Sequence, residues 1–315
     1  MSPSTPATSP STPHSLKFFS KVVKLHPFPR LIILLLALGL SLEAHPDLNE
    51  NIANLSSSIR EKPCPALYLR RAREYLAQKE YHHAHEDLDR AQSANLEALQ
   101  LRRDVFLAAR APLRALLPAR SALTLSGEMS DAIALASTHL LLRQDPQARA
   151  VLAPYRTLSL DGWLLKAAVA ENQVTRLSIL RNALSQNSSI VLQQAHHDAL
   201  IATGRGEQIR DRLLHSYHKN RFKAPTALRL AKIAALRREP EIVQQLAQEA
   251  LTEINQRFNP QRPDLTLLRD RIQACFLLGE IAQARTDLAL LKASTISPLL
   301  YHDLESQLSV TPNSP

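Results

Sequence analysis

The sequence predicts an all-α fold made of repeated helix pairs, and three observations support this prediction. The 315 residues include only six glycines and seven phenylalanines, and the abundant Leu, Ala, Arg and Gln favour helices over strands. Residues 65–98 contain two short amphipathic helices joined by a tight turn, since their apolar residues recur at spacings of three and four. Similar pairs recur along the chain at intervals of 30 to 41 residues.

The first 44 residues differ from the rest and are predicted to be a disordered n-region followed by a secretory signal peptide. Residues 1–16 are rich in Ser, Thr and Pro and carry no charge. Four basic residues between 17 and 30 then precede the apolar run at 31–40. A basic n-region followed by a short apolar stretch is typical of secretory signals.

Cleavage of this signal is expected after Ala44, with cleavage after Gly39 or Ser41 as open alternatives. The mature protein is then exported, to the periplasm or the extracellular space. A second reading keeps residues 31–42 as a permanent membrane anchor, although the run is short for a bilayer span. No cysteine directly follows the apolar run, which disfavours a bacterial lipid anchor.

A lone leading helix is predicted at 47–60, and the first pair follows at 65–98. Six residues define the packing of this pair: Tyr68, Ala72, Tyr75, Ala84, Leu88 and Ala91. They lie on single faces of their helices. Ala72 and Ala84 fall where the two helices cross. Small residues are needed there, because a larger side chain would push the backbones apart.

This pair resembles the tetratricopeptide repeat, whose pattern is W-x2-L-G-x2-Y, then A-x3-F, then P, within about 34 residues. The chain has Y-x2-R-A-x2-Y at 68–75 and A-x3-L at 84–88. It departs from the pattern at Arg71, where the repeat has Leu, and at Leu96, where it has Pro. The resemblance implies a right-handed α-solenoid of degenerate repeats, whose first helices line a concave groove that holds peptides or protein segments.

The later pairs are placed by residues equivalent to Ala84. These crossing positions are predicted at Ala115, Ala148, Ile179, Ile209, Val243 and Ala284. Turn residues predict the helix ends at Asp145-Pro146, at Gly204 and Gly206, at Glu239-Pro240 and at Gly279. Pro112 and Pro118 predict an interruption of the helix expected across 111–127.

A capping helix is predicted from Ser297 to Leu308, so the solenoid domain spans 45–309 and residues 310–315 form a frayed tail. Cys64 and Cys275 fall at opposite ends of the array. Repeats of a solenoid contact mainly their neighbours, so the two cysteines are expected to remain unbridged.

The candidate partner-binding residues are Leu69, Arg70 and Arg73 on the first helix of the best repeat. If the resemblance holds, Leu69 and Arg73 occupy groove positions. The planar guanidinium of Arg suits an acidic peptide or chain terminus. Repeats that clamp chaperone C-termini use Lys and Asn in the groove, and this chain departs from them. The alternative is a charged helix face with intrahelical pairs such as Arg70–Glu74.

The segment from His82 to Glu86 is a weak candidate for a metal site. His82, His85 and Glu86 carry imidazole and carboxylate groups at spacings of three and four, which can hold zinc or copper. Because they alternate with packing residues, a solvated helix face is the preferred interpretation. An N-terminal His45 after cleavage could also chelate copper. Trp163 is expected to pack in the core rather than contact a ligand.

The remaining features exclude several functions. The net charge is +9, but the charges are interspersed and form no basic stripe with aromatics, so nucleic-acid binding is not expected. No catalytic or phosphate-binding motif is present, and no cofactor is predicted. The sequence therefore predicts a non-catalytic protein–protein interaction scaffold of the cell envelope or periplasm. Two alternatives remain open: an envelope metal-handling protein using His82 and His85, and a membrane-anchored assembly factor.

Overall fold

The computed structural model describes residues 46–310, and this part of the chain is entirely helical, without a strand. Residues 51–310 lie in one compact unit, whereas residues 46–50 are assigned to a separate unit. The predicted n-region, signal peptide, candidate anchor at 31–42 and last five residues lie outside the described range. Among the helices of residues 46–310, none has the length and apolarity to span a bilayer.

The described helices form one leading helix, seven pairs and a C-terminal cap. The leading helix is α1 (Pro46–Glu61). The first helices of the pairs are α2 (Pro65–Ala77), α4 (Leu96–Ala108), α6 (Met129–Leu141), α8 (Leu160–Ala168), α10 (Ile190–Ala202), α12 (Ala224–Leu236) and α14 (Leu265–Leu277). The second helices are α3 (Tyr81–Ala91), α5 (Pro112–Ser126), α7 (Asp145–Leu152), α9 (Gln173–Gln186), α11 (Glu207–Lys219), α13 (Pro240–Asn255) and α15 (Ile281–Ser294). A 3-10 turn (Pro298–Leu300) and α16 (His302–Val310) complete the cap.

The turn inside most pairs has one recurring backbone conformation. A residue with positive φ, between 60° and 77°, follows the first helix at Lys79, Arg110, Arg143, Gly204, Arg238 and Gly279. The next N–H then donates back to a carbonyl five residues earlier, as from Glu80 to Tyr75 at 2.9 Å. This is the Schellman ending, which satisfies carbonyl groups that the helix leaves unpaired. Sequence-encoded helix ends therefore set the pairing.

Small side chains lie between the helices where they cross. Ala84, Ala115, Ala148 and Ala284 are fully buried, as the repeat spacing predicted. Each first helix packs both on its own second helix and on the second helix of the preceding pair, as expected of a solenoid.

Two of the predicted crossing positions do not fit the structure. Ile179 and Val243 are only half buried, and Leu177 and Leu180 supply the buried face of α9.

The predicted interruption across 111–127 is wrong, because α5 runs without a break from Pro112 to Ser126. Pro112 is the first residue of the helix, where its missing N–H is not needed. Pro118 lies inside the helix and is buried, although an internal proline costs about 3 kcal/mol in an isolated helix. Alanines at 115, 119 and 122 are fully buried on the same helix. Close packing on the neighbouring helices therefore offsets the lost hydrogen bond.

The end of the chain makes contacts that a simple array does not predict. The C-terminal segment (residues 295–310) packs on α14 and α15, as a capping helix would, but its 3-10 turn also contacts α6 and α8. Leu299 lies against a buried cluster that includes Leu140, Leu152 and Leu165. The segment thus covers part of the surface formed by first helices far earlier in the chain.

Trp163 and the two cysteines take structural positions. Trp163 is 2% exposed and packs with Leu177 and Leu180, as predicted for a core residue. Cys64 and Cys275 are both free, which agrees with the expected absence of a bridge. Burial raises the pKa of the Cys275 thiol to about 12.

Candidate functional site

The six residues that define the first repeat lie in one apolar cluster. Ala72 and Ala84 are fully buried, and Leu88 and Ala91 are at most 3% exposed. Tyr68 and Tyr75 are partly buried against the same cluster. These residues hold α2 and α3 together.

The three candidate partner-binding residues on α2 have different environments. Leu69 is 3% exposed and belongs to the apolar cluster between α2, α3 and α4. Its side chain is therefore unavailable to a partner, because it is buried against α3 and α4. Arg70 is exposed. Arg73 donates to Glu97 of α4 at 2.5 Å, with both side chains about half exposed. Arg70 and Arg73 can thus meet a partner, and Leu69 supports the helix that carries them.

Arg71, the departure from the repeat pattern, forms a buried ion pair that sequence reasoning missed. Its guanidinium donates two hydrogen bonds to the Asp87 carboxylate, both at 2.7 Å, and a third to Ser56 at 2.8 Å. The Asp87 side chain is only 1% exposed. The hydrogen bond to Asp87 raises the pKa of Arg71. The planar group also lies over Tyr68 and Tyr75, 5.9 and 5.7 Å from the ring centroids.

An ion pair with the same spacing, but without the bidentate hydrogen bonds, lies at the other end of the array. Arg271 of α14 lies 3.2 Å from Asp287 of α15. Both Asp residues stand 16 positions after their Arg, between a small crossing residue and a buried leucine. This matched spacing is the signal that could have revealed both pairs from the sequence.

A second buried carboxylate ties α4 to α6. Asp131 is 1% exposed and accepts from Arg103 at 2.8 Å, from Gln100 at 3.1 and 3.0 Å, and from Ser126 at 2.7 Å. Both of its oxygens are therefore satisfied, as a buried carboxylate requires. The role of this cluster is to fix neighbouring first helices.

A polar network joins the first helices of three later pairs. Arg229 of α12 donates to Asp198 of α10 at 3.0 and 3.3 Å, and Lys232 donates to Gln273 of α14 at 2.5 Å. Burial lowers the pKa of Lys232 and raises the pKa of Asp270. Although burial opposes it, the charge of Arg229 holds the pKa of Asp198 below its usual value. The network links α10, α12 and α14.

The candidate metal residues do not gather into one site. His82 pairs with Glu86 at 3.1 Å, and His85 pairs separately with Asp89 at 3.1 Å. The other ring nitrogen of His85 faces the Arg114 guanidinium at 2.6 Å, which can only donate. Within residues 46–310, no three His, Cys, Asp or Glu side chains converge as a metal site would require. His82 is exposed, whereas His85 is partly buried against Phe106.

Sequence reasoning also missed a row of arginines under the C-terminal segment. Arg110, Arg143 and Arg176 stand 33 residues apart and come from three successive pairs. All three contact the C-terminal segment or the end of α15. The equal spacing is visible in the sequence. The sequence does not show that all three arginines contact the same end of the chain, 127 to 185 residues away.

The fold and these surfaces define an all-α solenoid of tetratricopeptide-like helix pairs. No protein-family model matches the sequence, and no curated protein is similar to it. Among solved structures, the chain is similar to a tetratricopeptide repeat protein from Parabacteroides merdae, with 14% identity and a TM-score of 0.50 over 72% of this chain and 92% of that one. The anaphase-promoting complex subunits Cut9–Hcn1 give 15% identity and a TM-score of 0.38, over 81% of this chain and 57% of that one. The likeness to the first structure agrees with the fold that residues 65–98 predicted.

Proposed function

We propose that the protein is a non-catalytic protein–protein interaction scaffold that binds a segment of a partner along its first helices. One observation carries the proposal: α2 presents Arg70 and Arg73 to solvent, and its opposite side is packed firmly on the neighbouring helices. Leu69 and the Arg71–Asp87 pair fix α2 against its neighbours. Rigid presentation lowers the ordering cost of binding.

The partner surface should be acidic. Arg70 and Arg73 offer planar donors that match carboxylates, and Arg73 already engages Glu97 at the surface. An exposed pair of this kind contributes little to stability, so a partner carboxylate can replace Glu97 without disturbing the fold. The proposal includes export to the periplasm or extracellular space, which the basic and apolar residues within 1–44 support.

Affinity capture tests the proposal. The full chain, an Arg70→Glu/Arg73→Glu variant and an Arg238→Glu/Arg262→Glu control serve as baits in an envelope extract, with mass spectrometry as readout. The control changes the charge equally, at two exposed residues far from α2 in the sequence. We expect proteins that bind the native and control baits but not the α2 variant.

Retention of the same proteins by all three baits would contradict binding at α2. The mass of the protein recovered from the envelope tests export separately. A mature chain starting near His45 supports a cleaved signal, and an intact N-terminus supports the anchored form instead.

A further inference from the structure

The C-terminal segment is attached to distant helices by polar contacts at its edges. Arg110 donates to the carbonyl oxygens of Lys292, Ala293 and Thr295 at 2.5, 2.7 and 3.0 Å. The last carbonyls of a helix lack intrahelical partners, so Arg110 caps the end of α15. The contact links a turn of the second pair to the end of the seventh.

The other two arginines hold the carboxylates of α16. Arg176 donates to Asp303 at 2.7 Å, and Arg143 pairs with Glu305. Lys292 donates to Glu305 as well, at 2.7 Å. Although burial opposes it, the neighbouring His302 and the charge of Arg176 hold the pKa of Asp303 well below its usual range. Three successive pairs thus contribute one arginine each to the same ligand-like segment.

Apolar side chains of the segment pack on two different parts of the array. Leu299 packs on the cluster of α6, α7 and α8, whereas Tyr301, Leu304 and Leu308, at most 8% exposed, belong to the core cluster of α12 to α15. The segment therefore combines apolar residues with two carboxylates placed two residues apart, in the manner of an amphipathic peptide on a groove.

The contact is incomplete in one place. A cavity of about 240 Å³ lies between the α4 and α6 side, which includes Leu107 and Leu141, and the segment side, which includes Ile296 and Tyr301. The two carboxylates are also about 30% exposed. Interiors normally leave few voids larger than a water molecule, and exposed ion pairs are weak. These features distinguish the contact from a fully packed core.

We infer that the arginine row, Arg110, Arg143 and Arg176, with the adjoining apolar surface, is a binding site for an acidic amphipathic segment of a partner protein, and that the C-terminal segment occupies this site in cis. The inference rests on the proposed scaffold function and specifies the class of partner. Charge complementarity argues for the occupant. Arg143 and Arg176 bind the two carboxylates of the resident segment, and Arg110 binds its Thr295 carbonyl together with two carbonyls of α15.

Occupation in cis makes the partner's affinity depend on release of the segment. A tethered segment acts at a high effective concentration, and the apparent affinity of a competitor falls with the fraction of molecules in which the site is free. A partner with a better fit to the cavity, or more carboxylates along the row, would displace the segment.

The test uses full-length variants and a labelled synthetic peptide with the sequence of residues 295–310. Asp303→Asn/Glu305→Gln removes both carboxylates and is designed to release the resident segment without shortening the chain. We expect this variant to lose hydrogen-exchange protection at 297–310 and to bind the peptide at least about tenfold more tightly than the native chain does. Adding Arg143→Gln and Arg176→Gln should abolish binding. A peptide with Asn and Gln in place of its Asp and Glu is the matched control.

Four results would overturn the inference. The released variant could keep native protection at 297–310, which makes the segment a permanent cap. It could lose protection and still bind no peptide, or it could bind the control peptide equally well. Exchange of segments between two copies, seen as a dimer by light scattering, would also replace the partner with a second copy of the chain. The α2 variant separates the two proposals, because peptide binding at the row does not involve Arg70 or Arg73.

Discussion

The buried Arg71–Asp87 pair gives the sharpest prediction about stability. Arg71→Leu restores the residue of the repeat pattern, so sequence reasoning alone expects a neutral or stabilising change. The structure predicts the opposite, because the substitution leaves the Asp87 carboxylate, 1% exposed, without its bidentate partner. Removal of one member of a buried ion pair costs about 3–5 kcal/mol. Arg90 lies 3.4 Å from Asp87 and is half exposed, so it still stabilises the carboxylate in part. We therefore expect the free energy of unfolding to fall by about 3 kcal/mol.

The loss should be local, because repeat arrays unfold in parts. Native-state hydrogen exchange at amides of α2 and α3 is therefore the suitable measurement. Arg73→Gln is the control, since the Arg73–Glu97 pair is exposed and worth at most about 1 kcal/mol. The double variant Arg71→Leu/Asp87→Ala should recover much of the loss, as it removes the unpaired charge. Arg71→Leu with no more effect than Arg73→Gln would refute the reasoning.

Three further predictions concern other parts of the chain. Arg238→Gly should raise stability by about 1 kcal/mol, because Arg238 has a φ of 61° that glycine adopts freely; a lower urea midpoint would contradict this. Asp303 has a depressed pKa, so it stabilises the docked C-terminal segment above its unfolded pKa of about 3.9 and loses this effect as the pH falls below that value. Protection of the segment, corrected for intrinsic exchange rates, should decline more with acid in the native chain than in Asp303→Asn. Cys64 should react with a thiol reagent in the native protein, whereas Cys275, 1% exposed and with a raised pKa, should react only after unfolding; equal rates would refute the burial of Cys275.

Local sequence signals predicted the helix pairs well, because each depends on residues close together in the chain. The small crossing residues Ala84 and Ala148 and the turn at Gly279 are cases of this kind. Pro118 was misjudged because helix propensity is a local quantity, whereas burial of α5 between neighbouring helices decides the outcome.

The candidate site was less predictable for a related reason. The residues on α2 followed from the repeat pattern, but the pattern did not show that Leu69 is consumed by packing with α3 and α4. Contacts such as Arg110 with the end of α15 join residues more than 180 positions apart. No periodicity within one repeat encodes such a contact, so the occupied surface emerges only from the structure.

The two proposed surfaces differ in what a partner must do to reach them. Arg70 and Arg73 are exposed in the structure as it stands, so binding at α2 needs no conformational change. At the arginine row, by contrast, the guanidinium groups already hold the C-terminal segment, so binding there adds the free energy of releasing it. A partner that contacts both surfaces would gain the second contact as an intramolecular step after the first. Loss of Arg70 and Arg73 would then weaken capture of that partner even though the free peptide still binds the row. The two experiments are therefore informative together, because the peptide assay isolates the row and the capture assay reports the whole path.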